Sequence, residues 1–496
     1  MHGEIPTQNH SMKDAPRRRR VPQVDKVLRH PLIIEAAKSF NHEVLTRLIR
    51  AQLAQLRADL DKPAGDLQAP ANSSDTDSLD EEVAFIAQKV VAHAKELRSG
   101  GLQRVVNGTG VILNTNLGRA PVPKEAARRV FEVLCGYANL EIDLDSGKRG
   151  ERGQIIDQLL SLITGCEAAL LVNNNAAAVM LSVVALAKDK EVIVSRGELI
   201  EIGGSFRLPD VITQAGGILK EVGTTNRTRI SDYRNALSKN TGMILRCHRS
   251  NFEITGYTEE ADLAELVSLS EECGIALVED LGSGALFDLR TVGLKHEPTV
   301  TEVIEKGAGL VLFSADKLLG GSQAGIIIGK REVVSRLRKN PIYRALRADK
   351  LSIALVEQVL SSYLTAAPEQ EIPTIKMAGI SAETLKERAL EVTSLAQKRF
   401  GGLTLEVVPV QSTFGGGTLP GSVLPSYGLS IAASQTQGVT RLPADKLAAR
   451  LRSCNPPVVA LVSGDRVIVD LRTVGDDEQQ FLLDALGELD ATVLSG

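Results

Sequence analysis

Two side chains that follow apolar segments can carry out chemistry together. Lys317 stands among small residues just after the apolar run 309–313, which is typical of a buried strand. Asp280 ends a second apolar run, 275–280. A lysine amine can hold an aldehyde as a Schiff base, and a carboxylate can keep a pyridine nitrogen protonated so that the ring accepts electrons. Lys317 and Asp280 therefore predict a catalytic pair that works with pyridoxal 5′-phosphate (PLP).

Both residues also have structural interpretations. Most lysines are surface or structural residues, and an aspartate after a strand can cap a turn. Glycines that follow the lysine, Gly320-Gly321 and Gly325, favour the cofactor interpretation. Ser314, one helical turn before Lys317, can bring its hydroxyl to the cofactor phosphate, or it can cap the end of the strand.

The segment 173–178 predicts where that phosphate binds. It follows a buried strand and opens a helix, and backbone N–H groups with the helix dipole form an anion site there. We assign Asn174, Asn175 and Ala176 to this site. Asparagine is also a good helix N-cap, so capping is an alternative that can coexist with phosphate binding.

Two further residues complete the predicted cofactor pocket. Asn251 follows another buried strand and can hydrogen-bond the ring oxygen of the cofactor, or it can be a turn residue. Ser283 lies in the motif Asp280-Leu281-Gly282-Ser283-Gly284, and we assign it to the same pocket.

A second anion site is predicted from arginines. Arg119 lies in a loop flanked by glycine and proline, and Arg344 and Arg347 are three residues apart on one predicted helix face. The segment 148–153 adds positive charge near glycines. One such pair is usually a solvated helix face, but several in glycine-rich settings favour capture of a phosphate-like anion.

Composition excludes several classes of function. A length of 496 residues predicts two or three domains. The net charge of −4 confines any nucleic-acid binding to a local patch, and the absence of tryptophan argues against extensive base stacking. No two of the five cysteines form a Cys-x-x-Cys motif, so we expect reduced thiols in a cytoplasmic protein and no metal. No apolar segment reaches membrane length, so no membrane partner is expected.

The order of the predicted elements gives an α/β protein. Residues 1–20, with four consecutive arginines, are expected to be a disordered basic arm, and residues 21–100 a helical domain. From about residue 105, apolar strands alternate with helices, which predicts a mostly parallel sheet covered on both faces in a large domain, 101–380. Residues 381–496 are expected to form a small α+β domain, with strands around 403–409 and 429–432. The strands expected in the large domain are Ala168–Val172, Glu191–Val194, Gly217–Val222, Met243–Cys247, Ile275–Glu279, Leu310–Phe313 and Gly325–Ile328.

Long and particular sequence motifs give the chain a family resemblance. It resembles the bacterial selenocysteine synthases, the L-seryl-tRNA(Sec) selenium transferases, over most of its length beyond the first twenty residues. The matching segments are 107–110, 195–207, Val222-Gly223-Thr224-Thr225-Asn226-Arg227-Thr228, 280–284, Asp316-Lys317-Leu318-Leu319-Gly320-Gly321 and 415–421. Two positions depart from the usual family pattern: Ser322 stands where proline is usual, and Arg249 follows His248.

The resemblance implies the fold, the reaction and the partners. The expected fold is fold-type I of the PLP-dependent transferases, similar to aspartate aminotransferase, with residues 21–100 binding tRNA. The expected reaction converts Ser-tRNA(Sec) to selenocysteinyl-tRNA(Sec) through β-elimination to an aminoacrylyl-tRNA and addition of selenium from selenophosphate. Lys317 would carry PLP, and Arg119, Arg344 and Arg347 would line the selenophosphate site. A homo-oligomer, a decamer of five dimers, is also implied.

Two other functions are compatible with the residues. A PLP-dependent lyase or desulfurase that acts on a free amino acid can use the same Asp and Lys placement. A non-catalytic RNA-binding or assembly protein on a PLP-enzyme scaffold is the third possibility, and the presence of Asp280, Ser314 and Lys317 argues against it.

Overall fold

The computed structural model describes residues 21–60, 77–203, 206–434 and 442–495. The predicted basic arm, 1–20, lies outside the described residues. Contacts divide the chain into two compact units, Met1–Arg104 and Val105–Gly496. None of the described helices is long and apolar enough to cross a membrane.

The first unit is built from helices with one apolar stripe each. Its helices are α1 Val24–Leu28, α2 Pro31–Ala36, α3 His42–Leu60 and α4 Asp77–Ser99. On α3, Leu45, Ile49 and Leu53 recur at helical spacing and are buried, and on α4 Val83 and Val90 face the same apolar cluster. The helix predicted from this spacing over residues 42–60 is confirmed.

The second unit contains two main sheets. Its strands are β1 Val106–Gly108, β2 Ala168–Val172, β3 Glu191–Ser195, β4 Glu201–Ile202, β5 Phe206–Arg207, β6 Ile218–Val222, β7 Thr241–Cys247, β8 Ala276–Gly282, β9 Leu310–Ser314, β10 Gly325–Gly329, β11 Leu403–Gly415, β12 Thr418–Ala433, β13 Val458–Ser463 and β14 Arg466–Asp470. Its helices are α5 Lys124–Cys135, α6 Gln154–Thr164, α7 Asn175–Leu186, α8 Leu208–Gln214, α9 Ile230–Ala236, α10 Leu263–Cys273, α11 Val300–Glu305, α12 Arg331–Lys339, α13 Lys350–Ser362, α14 Pro368–Glu371, α15 Pro373–Gly379, α16 Ala382–Gln397, α17 Ala444–Leu451 and α18 Gln479–Ser495.

The seven-stranded sheet is the scaffold of the site. Its strand order is β2-β10-β9-β8-β7-β3-β6, and β10 alone runs antiparallel to its neighbours. Helices cover both faces, so successive strand residues enter two different apolar cores: Val192 and Val194 pack on the side of α7, and Ile193 packs on the side of α10. Burial on both faces explains why these strands are continuous apolar runs in the sequence. The predicted mostly parallel sheet is confirmed.

The five-stranded sheet has the order β1-β13-β14-β12-β11, with β1 at one edge. Strands β11 and β12 form a hairpin of 13 and 16 residues, much longer than the segments expected from sequence, 403–409 and 429–432. Pro409, Pro420 and Pro425 interrupt the strand signal in the outer half of the hairpin, which explains the difference. The turn at its end uses Gly415, Gly416 and Gly417 at positive φ, which glycine adopts without strain.

A buried polar cluster fixes the direction of this hairpin. Asp470 accepts hydrogen bonds from Ser412 and Ser426, one on each strand of the hairpin, at 2.6 and 2.7 Å. The guanidinium of Arg472 donates to the carbonyl of Pro425 on β12 and to the carbonyls of Met377 and Ile380. The hairpin is thereby held against the segment that contains α15, and its glycine turn is directed toward Lys317.

Candidate active site

Asp280 and Lys317 meet at Gly282. The register of β8 against β9 shifts by one residue between Asp280 and Gly282, and Gly282 has a φ of 66°. A methyl group placed on Gly282 would lie 3.9 Å from Asp280 Oδ1 and 4.0 Å from Lys317 Nζ. The N–H of Leu318 donates to the carbonyl of Ser283 at 3.1 Å, which ties the lysine turn to the loop after β8. Two segments separated in sequence thus place an amine beside a carboxylate at the carboxyl edge of the sheet.

Burial lowers the pKa of the Lys317 amine. Lys317 is only 5% exposed, and its pKa is lowered chiefly because burial disfavours the charged form. The nearby Arg119 lowers this pKa further, while the carboxylates of Asp280 and Asp316 oppose the shift. A larger fraction of the amine is therefore uncharged and nucleophilic than for an ordinary lysine.

The carboxylate is buried as well. Asp280 is 5% exposed, and burial raises its pKa. Asn175 opposes this shift by donating from Nδ2 to Asp280 Oδ1 at 2.8 Å, and Lys317 opposes it through its charge. The hydrogen bond also orients the carboxylate.

The two asparagines at the start of α7 make different contacts. Asn174 caps the helix, since its Oδ1 accepts from the N–H of Ala177 at 2.8 Å. Asn175 instead reaches Asp280. The N–H groups of Asn175 and Ala176, in the first turn, have no intrahelical acceptor by position. Both interpretations of this segment, capping and an anion site, are compatible with the arrangement.

Three of the expected cofactor residues carry buried polar atoms without a partner. Asn175 Oδ1, Asn251 Oδ1 and Ser283 Oγ make no hydrogen bond with any described residue. Buried polar groups are almost always hydrogen-bonded, so these atoms suit a polar ligand. Ser314 ends β9 three residues before Lys317 and is 7% exposed. The donor set fits a phosphorylated pyridine aldehyde.

The three arginines of the predicted anion site have different partners. Arg119 lies beside the lysine turn, with its Nη1 2.6 Å from Asp316 Oδ2. Arg347 forms an isolated β-bridge with Val172, the last residue of β2. Its Nη1 is 3.7 Å from Glu141 Oε1 and its guanidinium lies over the ring of Tyr343. Arg344 is exposed and makes no ion pair or hydrogen bond within the part of the chain that the structure describes. Among the described residues, no ion pair or hydrogen bond joins Arg344 or Arg347 to the lysine turn.

Three site residues were not identified from sequence. His248 donates its backbone N–H to the carbonyl of Asp280 at 2.9 Å, and its Nε2 lies 3.4 Å from Glu297 Oε1. A methyl group on Gly417 would lie 4.0 Å from Lys317 Nζ. Two signals in the sequence point to two of these residues. His248 comes directly after β7, and Gly417 lies in the glycine run 415–417. Glu297 lies in a loop with no local signal. Among the described residues, no cluster of His, Cys, Asp or Glu is arranged to hold a metal ion.

Comparison with known proteins identifies the family. The model of the L-seryl-tRNA selenium transferase family matches residues 105–475, and that of the selenocysteine synthase N-terminal domain matches residues 18–57. The L-seryl-tRNA(Sec) selenium transferase of Caldanaerobacter subterraneus subsp. tengcongensis is 42% identical over 95% of this chain and 98% of its own length. That of Geobacter sulfurreducens is also 42% identical, over 95% and 98% of the two chains.

The solved structures support the fold. D-Glucosaminate-6-phosphate ammonia-lyase matches with a TM-score of 0.52 and 16% identity, over 81% of this chain and 99% of that one. The expected fold-type I α/β architecture is confirmed. Family models and relatives cover nearly the whole sequence, and the chain therefore belongs to the L-seryl-tRNA selenium transferase family.

Proposed function

We propose that this chain converts L-seryl-tRNA(Sec) to L-selenocysteinyl-tRNA(Sec), with PLP as cofactor and selenophosphate as selenium donor. The observation that carries the proposal is the buried pair of Lys317 and Asp280 around Gly282, in a chain of this family. A surface lysine would not have its pKa lowered by burial, and an unpaired aspartate would not be oriented by Asn175.

The cofactor would be held by the residues that surround this pair. Lys317 would bind it covalently, and Asp280 would hold the proton on its pyridine nitrogen. The first turn of α7, with Asn174, Asn175 and Ala176, and the hydroxyl of Ser314 would bind its phosphate. Ser283 Oγ could donate to one of its remaining oxygens, and Asn251 Oδ1 could accept from a hydroxyl of the cofactor. When bound, PLP supplies an electron sink that stabilises a carbanion at Cα of an attached amino acid.

Lys317 would also move the proton. Its amine would accept the proton from the seryl Cα, because burial lowers its pKa and leaves a larger fraction of it uncharged than in an ordinary lysine. Loss of that proton allows the β-hydroxyl, once it has taken up a proton, to leave as water. Selenium from selenophosphate then bonds to Cβ while a proton returns to Cα, and a water molecule cleaves the P–Se bond to release phosphate.

The donor would be held by arginines. We propose that Arg119, Arg344 and Arg347 bind selenophosphate, since guanidinium groups bind phosphate-like anions through paired N–H donors. Arg344 has no acidic partner among the described residues, and Arg347 Nε is buried without an acceptor. Both can therefore accept an anion. Arg119 already lies beside the lysine turn.

The remaining parts of the chain would serve the RNA and the assembly. We propose that residues 21–100 bind the tRNA, that 101–380 form the catalytic domain and that 381–496 form the small domain. Exposed apolar side chains on α5, α6 and the segment between them, among them Phe131, Tyr137, Leu144 and Leu162, support self-association into a decamer of five dimers. We place the reaction in the cytoplasm, where the free thiols stay reduced.

The test is a reconstituted reaction. The holoenzyme is incubated with selenophosphate and Ser-tRNA(Sec), and the esterified amino acid is identified by mass spectrometry. Selenocysteine is expected on tRNA(Sec), and little on Ser-tRNA(Ser) or free serine. Turnover of a free amino acid with no reaction of Ser-tRNA(Sec) would instead indicate the PLP-dependent lyase or desulfurase. A gel shift with unacylated tRNA(Sec) against tRNA(Ser) tests RNA selection separately.

A further inference from the structure

A cavity of about 280 Å³ lies beside the active site and none of the roles above uses it. The loop after β7 forms one wall, with Phe252 and Glu253, and the loop before α11 forms a second, with Glu297. Strand β12 closes it with Leu419 and Ser422. Small-molecule sites usually measure about 300–1,000 Å³. The volume therefore suits one nucleoside-sized group rather than several nucleotides.

Two walls of this cavity are shared with the catalytic pair. His248 lines the cavity and donates its backbone N–H to the carbonyl of Asp280 at 2.9 Å. Leu419 also lines it and lies two residues after Gly417, where a methyl group would be 4.0 Å from Lys317 Nζ. A ligand in the cavity therefore lies next to whatever is attached at Lys317.

Two buried polar atoms at the cavity have no hydrogen bond. Ser422 is 7% exposed and its Oγ has no partner among the described residues. Glu297 is 4% exposed, and its Oε1 makes no hydrogen bond, although His248 Nε2 lies 3.4 Å away. Such groups are costly to leave unpaired in a buried setting. They indicate a ligand that carries hydroxyl or amine donors.

The charges of the cavity favour a neutral ligand over a small free anion. Carboxylates only accept hydrogen bonds, and Glu253 and Glu297 are among those at the wall. Cationic side chains at the wall face carboxylates: Arg246 pairs with Glu279 and Arg249 with Glu260. Lys295 Nζ lies 3.5 Å from Glu253 Oε1. Phe252 adds an aromatic face. Hydroxyls, an exocyclic amine and a flat apolar ring are together the chemistry of a nucleoside.

We infer that this cavity binds the terminal nucleoside of the aminoacyl-RNA substrate. The inference rests on the proposed function, in which the seryl group is esterified to the ribose at the 3′ end of a tRNA. If the seryl Cα lies at Lys317, that nucleoside must lie one ester linkage away, and the cavity is the adjoining space with matching chemistry. Glu297 and Ser422 would accept from, or donate to, the ribose hydroxyls and the base.

The test compares two RNAs on two proteins. Binding of tRNA(Sec) and of tRNA(Sec) without its terminal adenosine is measured with the holoenzyme and with Ser422→Leu, which fills the cavity. Removal of the adenosine should weaken binding to the wild-type protein about 10-fold, the loss of one or two hydrogen bonds and a stacking contact. The Ser422→Leu protein should bind both RNAs equally, at the affinity of the shortened RNA.

The control is the next residue of the same strand. Val423 is exposed on the opposite face of β12, so Val423→Leu should keep the full difference between the two RNAs. Glu253→Ala, at an exposed wall position, should reduce the difference roughly threefold through loss of one acceptor.

The outcomes separate this inference from the proposed function. Equal loss of affinity for the shortened RNA in the wild-type and both cavity variants would overturn the inference and leave the proposed function standing. Equal affinity of the wild-type protein for both RNAs would do the same. Failure of the holoenzyme to bind or convert any tRNA(Sec) would remove the proposed function, and the inference with it.

Discussion

The surroundings of Lys317 and those of Arg347 differ in how completely one chain builds them. Lys317 is buried, oriented beside Asp280 and enclosed by loops from three strands. Arg347 retains 30% of its side-chain exposure, shares Glu141 with two other arginines, and has Arg344 exposed beside it. The groups that we propose hold a covalent cofactor are thus preorganised, whereas those that we propose bind a mobile anion keep free donors. Substitutions around Lys317 and around Arg347 should therefore impair activity in different ways.

The largest effect is expected at Lys317 itself. Lys317→Ala removes both the covalent attachment and the proton acceptor, so activity should fall by roughly 10³-fold or more. The purified variant should also lack the borohydride-reducible absorbance that peptide mass mapping assigns to Lys317 in the wild-type protein. Lys330→Ala, at an exposed lysine paired with Glu271, is the matched control and should keep both properties. Retained turnover in Lys317→Ala would disprove the assignment.

The next largest effect is expected at Asp280. Asp280→Asn keeps the shape and the contact with Asn175 but cannot stabilise a proton on the pyridine nitrogen. We expect kcat to fall by about 10²- to 10³-fold while covalent attachment to Lys317 persists. The measurement is kcat alongside the absorbance spectrum, with Asp210→Asn, at an exposed position on α8, as control. An unchanged kcat would mean that Asp280 has only a structural role.

The positions of the residues that we propose hold the cofactor could be predicted from sequence because their signals are local. Lys317 and Asp280 each follow a continuous apolar run, and such runs are strands buried on both faces, whose carboxyl ends meet at one edge. The first turn of α7 was predictable for the same reason, since it follows β2 directly. The local pattern of apolar runs followed by polar residues therefore predicts which side chains meet at Gly282.

The remaining contacts depend on tertiary structure. The glycine turn reaches Lys317 only because Asp470 and Arg472 clamp the long hairpin, and nothing in residues 410–428 indicates that direction. Glu297 meets His248 across 49 positions of sequence without a motif. The predicted helix face shared by Arg344 and Arg347 is wrong, since Arg344 ends a 3-10 helix, Pro341–Arg344, and Arg347 lies beyond it. Charge and spacing in sequence grouped both with Arg119, but they do not give the distance to a loop more than 200 residues earlier. Strand ends are therefore easier to predict than loop contacts.

A smaller effect is expected at Arg344, the exposed arginine beside Arg347. Arg344→Ala should raise the KM for selenophosphate roughly 10-fold, the value of one charge-assisted hydrogen bond, with kcat and the cofactor absorbance nearly unchanged. Arg336→Ala, at an exposed arginine on α12, is the control and should leave this KM unaltered. Loss of PLP from Arg344→Ala would contradict a donor site separate from the cofactor site.

The smallest effect concerns Arg119, which lies beside the lysine turn and which we propose also binds the donor. Its positive charge lowers the pKa of Lys317, while its ion pair with Asp316 weakens a carboxylate that raises the same pKa. Arg119→Ala removes the first influence and strengthens the second, so both changes raise the pKa of Lys317. The amine then loses its proton at higher pH than in the wild-type protein. Covalent capture of added PLP by the apoprotein, followed by absorbance against pH, should shift its midpoint upward.

An arginine–glutamate pair away from the active site is the control for this shift. Arg128 lies on α5 and pairs with Glu125, both exposed, so Arg128→Ala should leave the midpoint of capture where it is. A midpoint that stays fixed in Arg119→Ala would show that burial alone sets the pKa of Lys317, and that Arg119 serves only the anion. A midpoint that moves upward would show that one arginine acts on both the buried amine and the open donor site, because its charge is near enough to Lys317 to be felt through the same low-dielectric surroundings.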